Sequence, residues 1–307
     1  MVRLRKKRDA GEGGTIKESR DDWVFLAVVG VILVIVLIAV LFPLVYIVSS
    51  SFSSSKAVIT GQVWLWPVEP TLAGYEAVLS HPGVMRGFAN SIFYTVAGTM
   101  VNVVMTVLIA YPLSRRDFVG RGVLTFLLVF TMLFYGGLIP TYLVVKTLGM
   151  VNTRWAMIIP EALIVWFVII ARTFFQSNIP QELAEVSEID GCSDARFMWS
   201  VVLPLAKPVI AVLVLMYAIF HWNAYFQALI YLGDERMYPL QIVLRNILIL
   251  NQTLRNSMRV SEQMLRQGLA DLLKFSLIVV ASAPMLILYP FIQRHFIKGI
   301  LIGSLKG

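Results

Sequence analysis

Asn178-Ile-Pro-Gln-Glu-Leu-Ala-Glu-Val-Ser-Glu-Ile-Asp-Gly-Cys-Ser-Asp-Ala-Arg-Phe-Met-Trp-Ser-Val-Val-Leu-Pro-Leu-Ala-Lys-Pro208 is the stretch on which the reading of this chain turns. Asn178 stands three residues before Gln181, the spacing of a capping box. Pro180 falls in the first turn, where its missing N–H costs little. Leu183, Val186 and Ile189 recur at helical spacing on one face, while Gln181, Glu182, Glu185 and Glu188 populate another. Asp190-Gly191 then breaks the helix, and Ser193 is placed to cap a second one that ends before Leu203-Pro204. The expected shape is a short amphipathic helix, a sharp turn and another short helix. Such an element serves either as a rigid knob for a partner or as an interfacial helix lying on lipid.

What flanks this loop sets the fold class. Of the 307 residues, 58% are hydrophobic and 14% charged, with a mean hydropathy of +0.77. Soluble domains sit near a quarter charged, so a membrane protein is expected. About 20 apolar residues cross the hydrocarbon core as a helix. Six segments qualify: Val24–Val48, Phe88–Leu113, Val123–Val145, Trp155–Phe175, Val209–Leu232 and Phe275–Gln293. The expected fold class is therefore an all-α polytopic membrane protein with six transmembrane helices. The fourth span carries Glu161 beside Pro160, with Arg172 near its end, and the fifth carries His221.

The net charge of +8 does not point to nucleic acid, because the basic residues lie between apolar runs rather than along one face. They suit the positive-inside rule instead. A cytoplasmic N-terminus places the basic tail (residues 1–22), the loop with Arg115, Arg116 and Arg121, the 176–208 loop and the 294–307 tail on the inside, with a modest excess of Lys and Arg there. Residues 23–307 form the transmembrane domain. Segments 49–87 and 233–271 are then external and long enough to dock a partner or simply cover helix ends. The first has Trp64 and Trp66, suited to the water–lipid interface, and Thr71-Leu-Ala-Gly-Tyr-Glu, a candidate capped helix. The first apolar run exceeds the roughly 7–15 residues of a signal-peptide core and reads as a retained span, although the serines of 49–55 are also residues that signal peptidase accepts.

Catalytic chemistry finds little support. Cys192 is the single cysteine, and His81, His221 and His295 are scattered without metal-ligand spacing. Neither a Gly-x-Ser-x-Gly elbow nor a Walker A loop occurs, so any ATP-driven activity needs hydrolysis on another chain. An ion-coupled secondary transporter or channel subunit is the alternative. Such carriers place paired ionisable residues inside their spans and often repeat a half, neither of which is evident here.

The loop resembles the cytoplasmic signature of permeases from ATP-binding-cassette (ABC) importers, EAA-x3-G-x9-I-x-LP. Glu185-Val186-Ser187 stand for EAA, Gly191 for the glycine, Val201 for the isoleucine and Leu203-Pro204 for LP, without gaps; Asp190 and Pro208 also match. The resemblance implies the type I ABC importer permease fold, with the first helix as a cytoplasmic coupling helix. Glu182, Glu185, Asp190, Gly191, Leu203 and Pro204 are the coupling residues it indicates. Ala110–Arg121 and His221–Tyr231 resemble carbohydrate-importer permeases. The tail Phe296–Gly307 is similar to the maltose-type second permease, whose extension reaches into the ATPase pair; Lys298, Gly303, Lys306 and Gly307 would serve that contact. Phe134–Tyr142 and Asn152–Trp155 point to the subgroup for complex and uronic-acid oligosaccharides. The implied partners are a second homologous permease, two ABC ATPase subunits using ATP and magnesium, an extracytoplasmic solute-binding protein and the lipid bilayer. The implied setting is a bacterial cytoplasmic membrane, with no cofactor, metal or nucleic acid on this chain.

Sugars are held by aromatic faces and convergent hydrogen-bonding groups. His221, Trp222, Asn223, Tyr225 and Gln227 supply both in the fifth span, with Asn223 and Gln227 four apart and sharing a helix face. Packing between helices is the other use for each. Tyr135, Gly136, Gly137 and Pro140 are placed to break the third span, which is tolerated where backbone lines a cavity or meets protein.

Overall fold

The computed structural model describes residues 20–254 and 273–290. The tail residues Lys298, Gly303, Lys306 and Gly307, most of the basic N-terminal segment and residues 255–272 lie outside the described residues. Among the described residues every regular element is a helix. The main ones are α1 (Arg20–Ser51), α2 (Pro82–Ser114), α3 (Arg121–Leu133), α4 (Leu138–Thr147), α5 (Val165–Asn178), α6 (Gln181–Ile189), α7 (Lys207–Trp222), α8 (Leu240–Leu254) and α9 (Leu273–Pro290). Three of them, α1, α2 and α9, are long and apolar enough to cross a membrane.

The third expected span is broken. α3 and α4 meet at 114° across Phe134–Gly137, where Gly137 has φ +92° and ψ 167°, a region open only to glycine. The fourth departs further from a continuous 155–175 helix. A 3-10 turn (Arg154–Met157) gives way to unwound chain around Pro160, and only Val165–Asn178 is α-helical, about 21 Å at 1.5 Å per residue. Proline removes the donor that would extend the ladder, and Asn102 on α2 donates its side-chain amide to the freed carbonyl of Glu161. The fifth also stops short: α7 ends at Trp222, and a separate helix, Phe226–Tyr231, follows after Ala224 and Tyr225.

α2 is the central post. Gly87, Asn90, Ser91, Gly98, Thr99, Asn102, Thr106 and Ala110 are buried along it, and such small or weakly polar side chains let helix backbones approach closely. α7 packs on this face. Thr106 Oγ1 and Tyr217 OH are 2.6 Å apart, and His221 Nε2 and Asn102 Oδ1 are 2.7 Å apart. α8 crosses the far end of α2, where Leu240 N–H donates to Ser91 Oγ at 2.9 Å and Tyr94 OH to Met237 O at 2.9 Å. α1 instead leaves its most apolar stretch uncovered by the chain, as a lipid- or partner-facing helix must.

The serine cluster after α1 is structural. Ser49 Oγ donates to Leu65 O, Ser53 Oγ accepts from Val68 N–H and donates to Ser49 O, and Ser51 Oγ meets Tyr75 OH, all within 2.6–3.0 Å. These bonds fold the 52–72 segment back over the helix end. The helix that follows, Ala73–Ser80, takes Leu72 as N-cap rather than Thr71, whose Oγ1 accepts from Ala73 N–H instead. Of segment 233–271, Leu240–Leu254 is helical, and Leu240, Val243, Leu244 and Ile247 pack in a cluster with Val84 and Trp222.

Candidate functional site

The 178–208 loop folds as two short helices, with corrections at Asn178, Pro180 and Pro204. Asn178 does not cap α6; it ends α5, donating Nδ2 to Phe174 O at 3.0 Å, and Pro180 occupies the N-cap without a side-chain bond. Pro180 is extended (φ −58°, ψ 140°), which ends α5 and starts α6 in another direction. Nor does Pro204 terminate the second helix. Asp194–Phe197 runs into a π-helical stretch, Met198–Val202, and on through Leu203–Leu205. The wider π turn, in which Leu203 N–H donates to Met198 O, accommodates a proline that cannot donate to the ladder. The direction changes only at Ala206, where this segment meets α7 at 80°.

The turn at Gly191 closes as a Schellman motif. Gly191 N–H donates to Glu188 O at 3.0 Å and Cys192 N–H to Ser187 O at 2.9 Å, with Gly191 at φ +70°. That pairing satisfies the last carbonyls of α6 and needs a left-handed residue after the cap. Ser193 Oγ accepts from Arg196 N–H at 3.4 Å, as an N-cap should.

Which face of α6 turns inward is the informative point. Ala184 is buried, in a cluster with Tyr111 and Phe175 from the ends of α2 and α5 and with Phe197, Val202 and Ala206 from the segment before α7. The apolar stripe faces outward: Leu183 is 43%, Val186 56% and Ile189 85% exposed. Glu182 and Glu185 are exposed with it. A helix offering apolar residues at i, i+3 and i+6 away from its own core has the form of a docking helix.

Arg115, from the loop after α2, fixes the other edge. Its guanidinium binds both oxygens of Asp117 at 3.1 Å and reaches Glu188 Oε1 on α6 at 3.2 Å. The hydrogen bond from Arg115 holds the Asp117 carboxyl below its ordinary 3.8. Stability from that shift is present above 3.8 and is lost as pH falls through the lower folded value. Both carboxylates are more than half exposed, so Glu188→Gln is expected to cost under about 1 kcal/mol. Thermal unfolding at low and high salt checks this: the loss should shrink with salt.

The fifth-span candidates divide. His221 and Trp222 are buried between helices. Trp222 Nε1 donates to Ala281 O at 3.0 Å on α9 and its ring meets Phe88 edge-on. Because the Asn102 amide nitrogen is engaged with Glu161 O, Asn102 Oδ1 accepts and His221 Nε2 carries the proton. His221 Nδ1 has no partner among the described residues. Asn223 is exposed and Tyr225 and Gln227 half-buried. Asn223 caps α7, donating Nδ2 to Ile219 O at 2.8 Å, and Gln227 lies on the next helix, so the two do not share a helix face.

Sequence reasoning missed Asn102 and Gly98, and the backbone contacts of Asn152. Asn102 was hidden because the second span was screened for ionised groups, whereas any amide at membrane depth signals a partner. Gly98 yields its space to the His221 ring. Asn152, at φ +59°, accepts from Gly233 and Asp234 N–H with Oδ1, both at 2.9 Å, and donates its own N–H to Tyr231 O at 2.7 Å.

Broken apolar helices thus pack around a central post, with a short helix bearing an outward apolar stripe at one end. The chain belongs to the family of binding-protein-dependent transport system inner membrane components, which it matches over residues 17–302. It is 42% identical to the polygalacturonan/rhamnogalacturonan transport system permease protein YtcP of Bacillus subtilis (strain 168), over 92% of this chain and 98% of that one. It is 43% identical to protein LplC of the same organism, over 86% and 89%. Its structure is similar to a chain in the crystal structure of a bacterial ABC transporter involved in the import of the acidic polysaccharide alginate, with a TM-score of 0.83, 34% identity and coverage of 91% and 99%.

Proposed function

We propose that this chain is one permease of a carbohydrate importer driven by ATP hydrolysis on separate subunits, and that its cargo is an oligosaccharide containing uronic acid. The observation that carries the reading is the outward apolar stripe of α6, held rigid by the Gly191 turn and the Arg115–Glu188 pair. In this reading α6 docks in a cleft of the ATPase, with Leu183, Val186 and Ile189 as anchors and Glu182 and Glu185 as polar contacts. Asp190 and Gly191 keep the turn, and Leu203-Pro204 carry the movement into α7. Membership of the family supports this use over an interfacial helix, and the acidic cargo of two relatives supports the substrate class.

The membrane arrangement follows. Six passes arise if each bent pair is one span and α5 with its unwound lead-in is the fourth. Both termini and the α6 loop face the cytoplasm of a bacterial cell, and Lys298, Gly303, Lys306 and Gly307 reach the ATPase pair. A second permease supplies the other half of the path, and an external binding protein delivers the sugar. Within this half, Asn223, Tyr225 and Gln227 at the break after α7 are better disposed to meet cargo than His221 and Trp222, which are committed to packing. Uptake in proteoliposomes holding the assembled importer and its binding protein is the test. Labelled trigalacturonate should enter only with ATP and a hydrolysis-competent ATPase. Uptake driven by an ion gradient alone would point to a secondary carrier instead.

A further inference from the structure

The loop end of the bundle holds a cavity of about 780 Å³ between the ends of α2 and α5 and the start of α6. Its walls are polar, and they include Arg116, Arg121 and Arg172 as well as Arg115. Arg115 is neutralised by Asp117 and Glu188. The other three guanidiniums have no carboxylate within ion-pair distance among the described residues, although Glu182 and Glu185 line the same cavity. Arg172 Nε donates to Leu113 O at 2.9 Å and Arg121 Nη1 to Arg115 O at 3.3 Å. Two uncharged backbone carbonyls thus orient forks whose remaining N–H groups match the oxygens of a phosphate.

What surrounds the cavity selects the form of that phosphate. The loop between Arg116 and Arg121 carries Phe118 and Val119, the latter 92% exposed. α3 begins at Arg121 and buries none of its residues within the chain, leaving Val123, Phe126 and Leu127 outward. A cationic recess beside an apolar loop tip and an apolar outward helix is complementary to an amphiphile, not to a free ion. We propose that this cavity binds the phosphate headgroup of an anionic phospholipid of the inner leaflet, beside the docking helix. The assignment rests on the cytoplasmic placement of this end proposed above. It does not depend on the cargo.

Native mass spectrometry of the importer, purified with its partner subunits, tests it. With palmitoyl-oleoyl phosphatidylglycerol added, the complex should retain this lipid in preference to phosphatidylcholine. Each guanidinium removed, in Arg116→Ala and then Arg116→Ala/Arg121→Ala, should lower retention roughly fivefold. The Arg116 side chain is exposed and makes no ion pair or hydrogen bond among the described residues, so the single variant should leave the fold intact. Equal retention of the two lipids, or retention unchanged in both variants, overturns the proposal. So does release of the bound lipid by millimolar inorganic phosphate, which assigns the cavity to free phosphate, or by trigalacturonate, which assigns it to the sugar path. Because the readout is lipid retention, failure of the importer reading in the uptake assay is a separate result.

Discussion

Gly98→Ala is expected to destabilise the bundle by about 2–5 kcal/mol, combining overpacking with loss of a buried hydrogen bond. A β-carbon at Gly98 would fall within the His221 imidazole, against Nε2, Cε1 and Cδ2. The ring cannot simply swing aside, since it is buried and held through Nε2 by Asn102. If it moves, Asn102 loses the partner that orients its amide towards the unwound carbonyl of Glu161. One methyl group therefore disturbs α2, α7 and the start of α5 together. Thermal unfolding of the purified protein should show the loss. Adding His221→Ala to Gly98→Ala should recover part of it, because the clash disappears; the two changes are then non-additive. A Gly98→Ala protein that unfolds within about 0.5 kcal/mol of the parent would contradict this packing.

The second large effect is functional. At φ +70°, Gly191 needs the left-handed region, which costs an ordinary L-residue about 1–2 kcal/mol and suits a β-branched one least. Among the described residues, and apart from its chain neighbours, nothing lies within 4 Å of where its β-carbon would be, so the demand comes from the backbone and not from space. Gly191→Val should loosen the Schellman turn and let α6 reorient while the spans stay inserted. With the ATPase present, uptake is expected to fall at least tenfold, about 1.4 kcal/mol in coupling terms, while ATP hydrolysis continues. Gly191→Asn, a residue that enters the left-handed region readily, should keep most of the uptake. If valine and asparagine behave alike, side-chain volume rather than φ controls the turn.

Some features were local enough to read from the sequence. The helix–turn–helix at 181–197, the Gly191 break and the Ser193 cap need only short-range hydrogen bonds and periodicity. The break at Phe134–Gly137 was legible for the same reason, since paired glycines before a proline weaken a helix in any setting. Other features were not. Whether Pro204 stops a helix depends on whether a π turn can absorb its missing donor. Asn178 matched a capping box, but extended Pro180 between the two helices took the boundary. His221 and Trp222 carried the right groups for a sugar and were used for packing, because α2 and α9 present Asn102 Oδ1 and Ala281 O to them.

Composition and periodicity by themselves determined the membrane class, the approximate positions of the spans and the shape of the loop, because hydropathy and helical pattern are properties of neighbouring residues. Tertiary structure alone decided where the fourth and fifth spans unwind, which polar groups repair the unwinding and which way α6 faces. The stripe Leu183–Val186–Ile189 would have been assigned inward by amphipathicity. Instead Ala184 is inside, packed with Tyr111, Phe175 and Phe197, and the larger apolar residues are left outward.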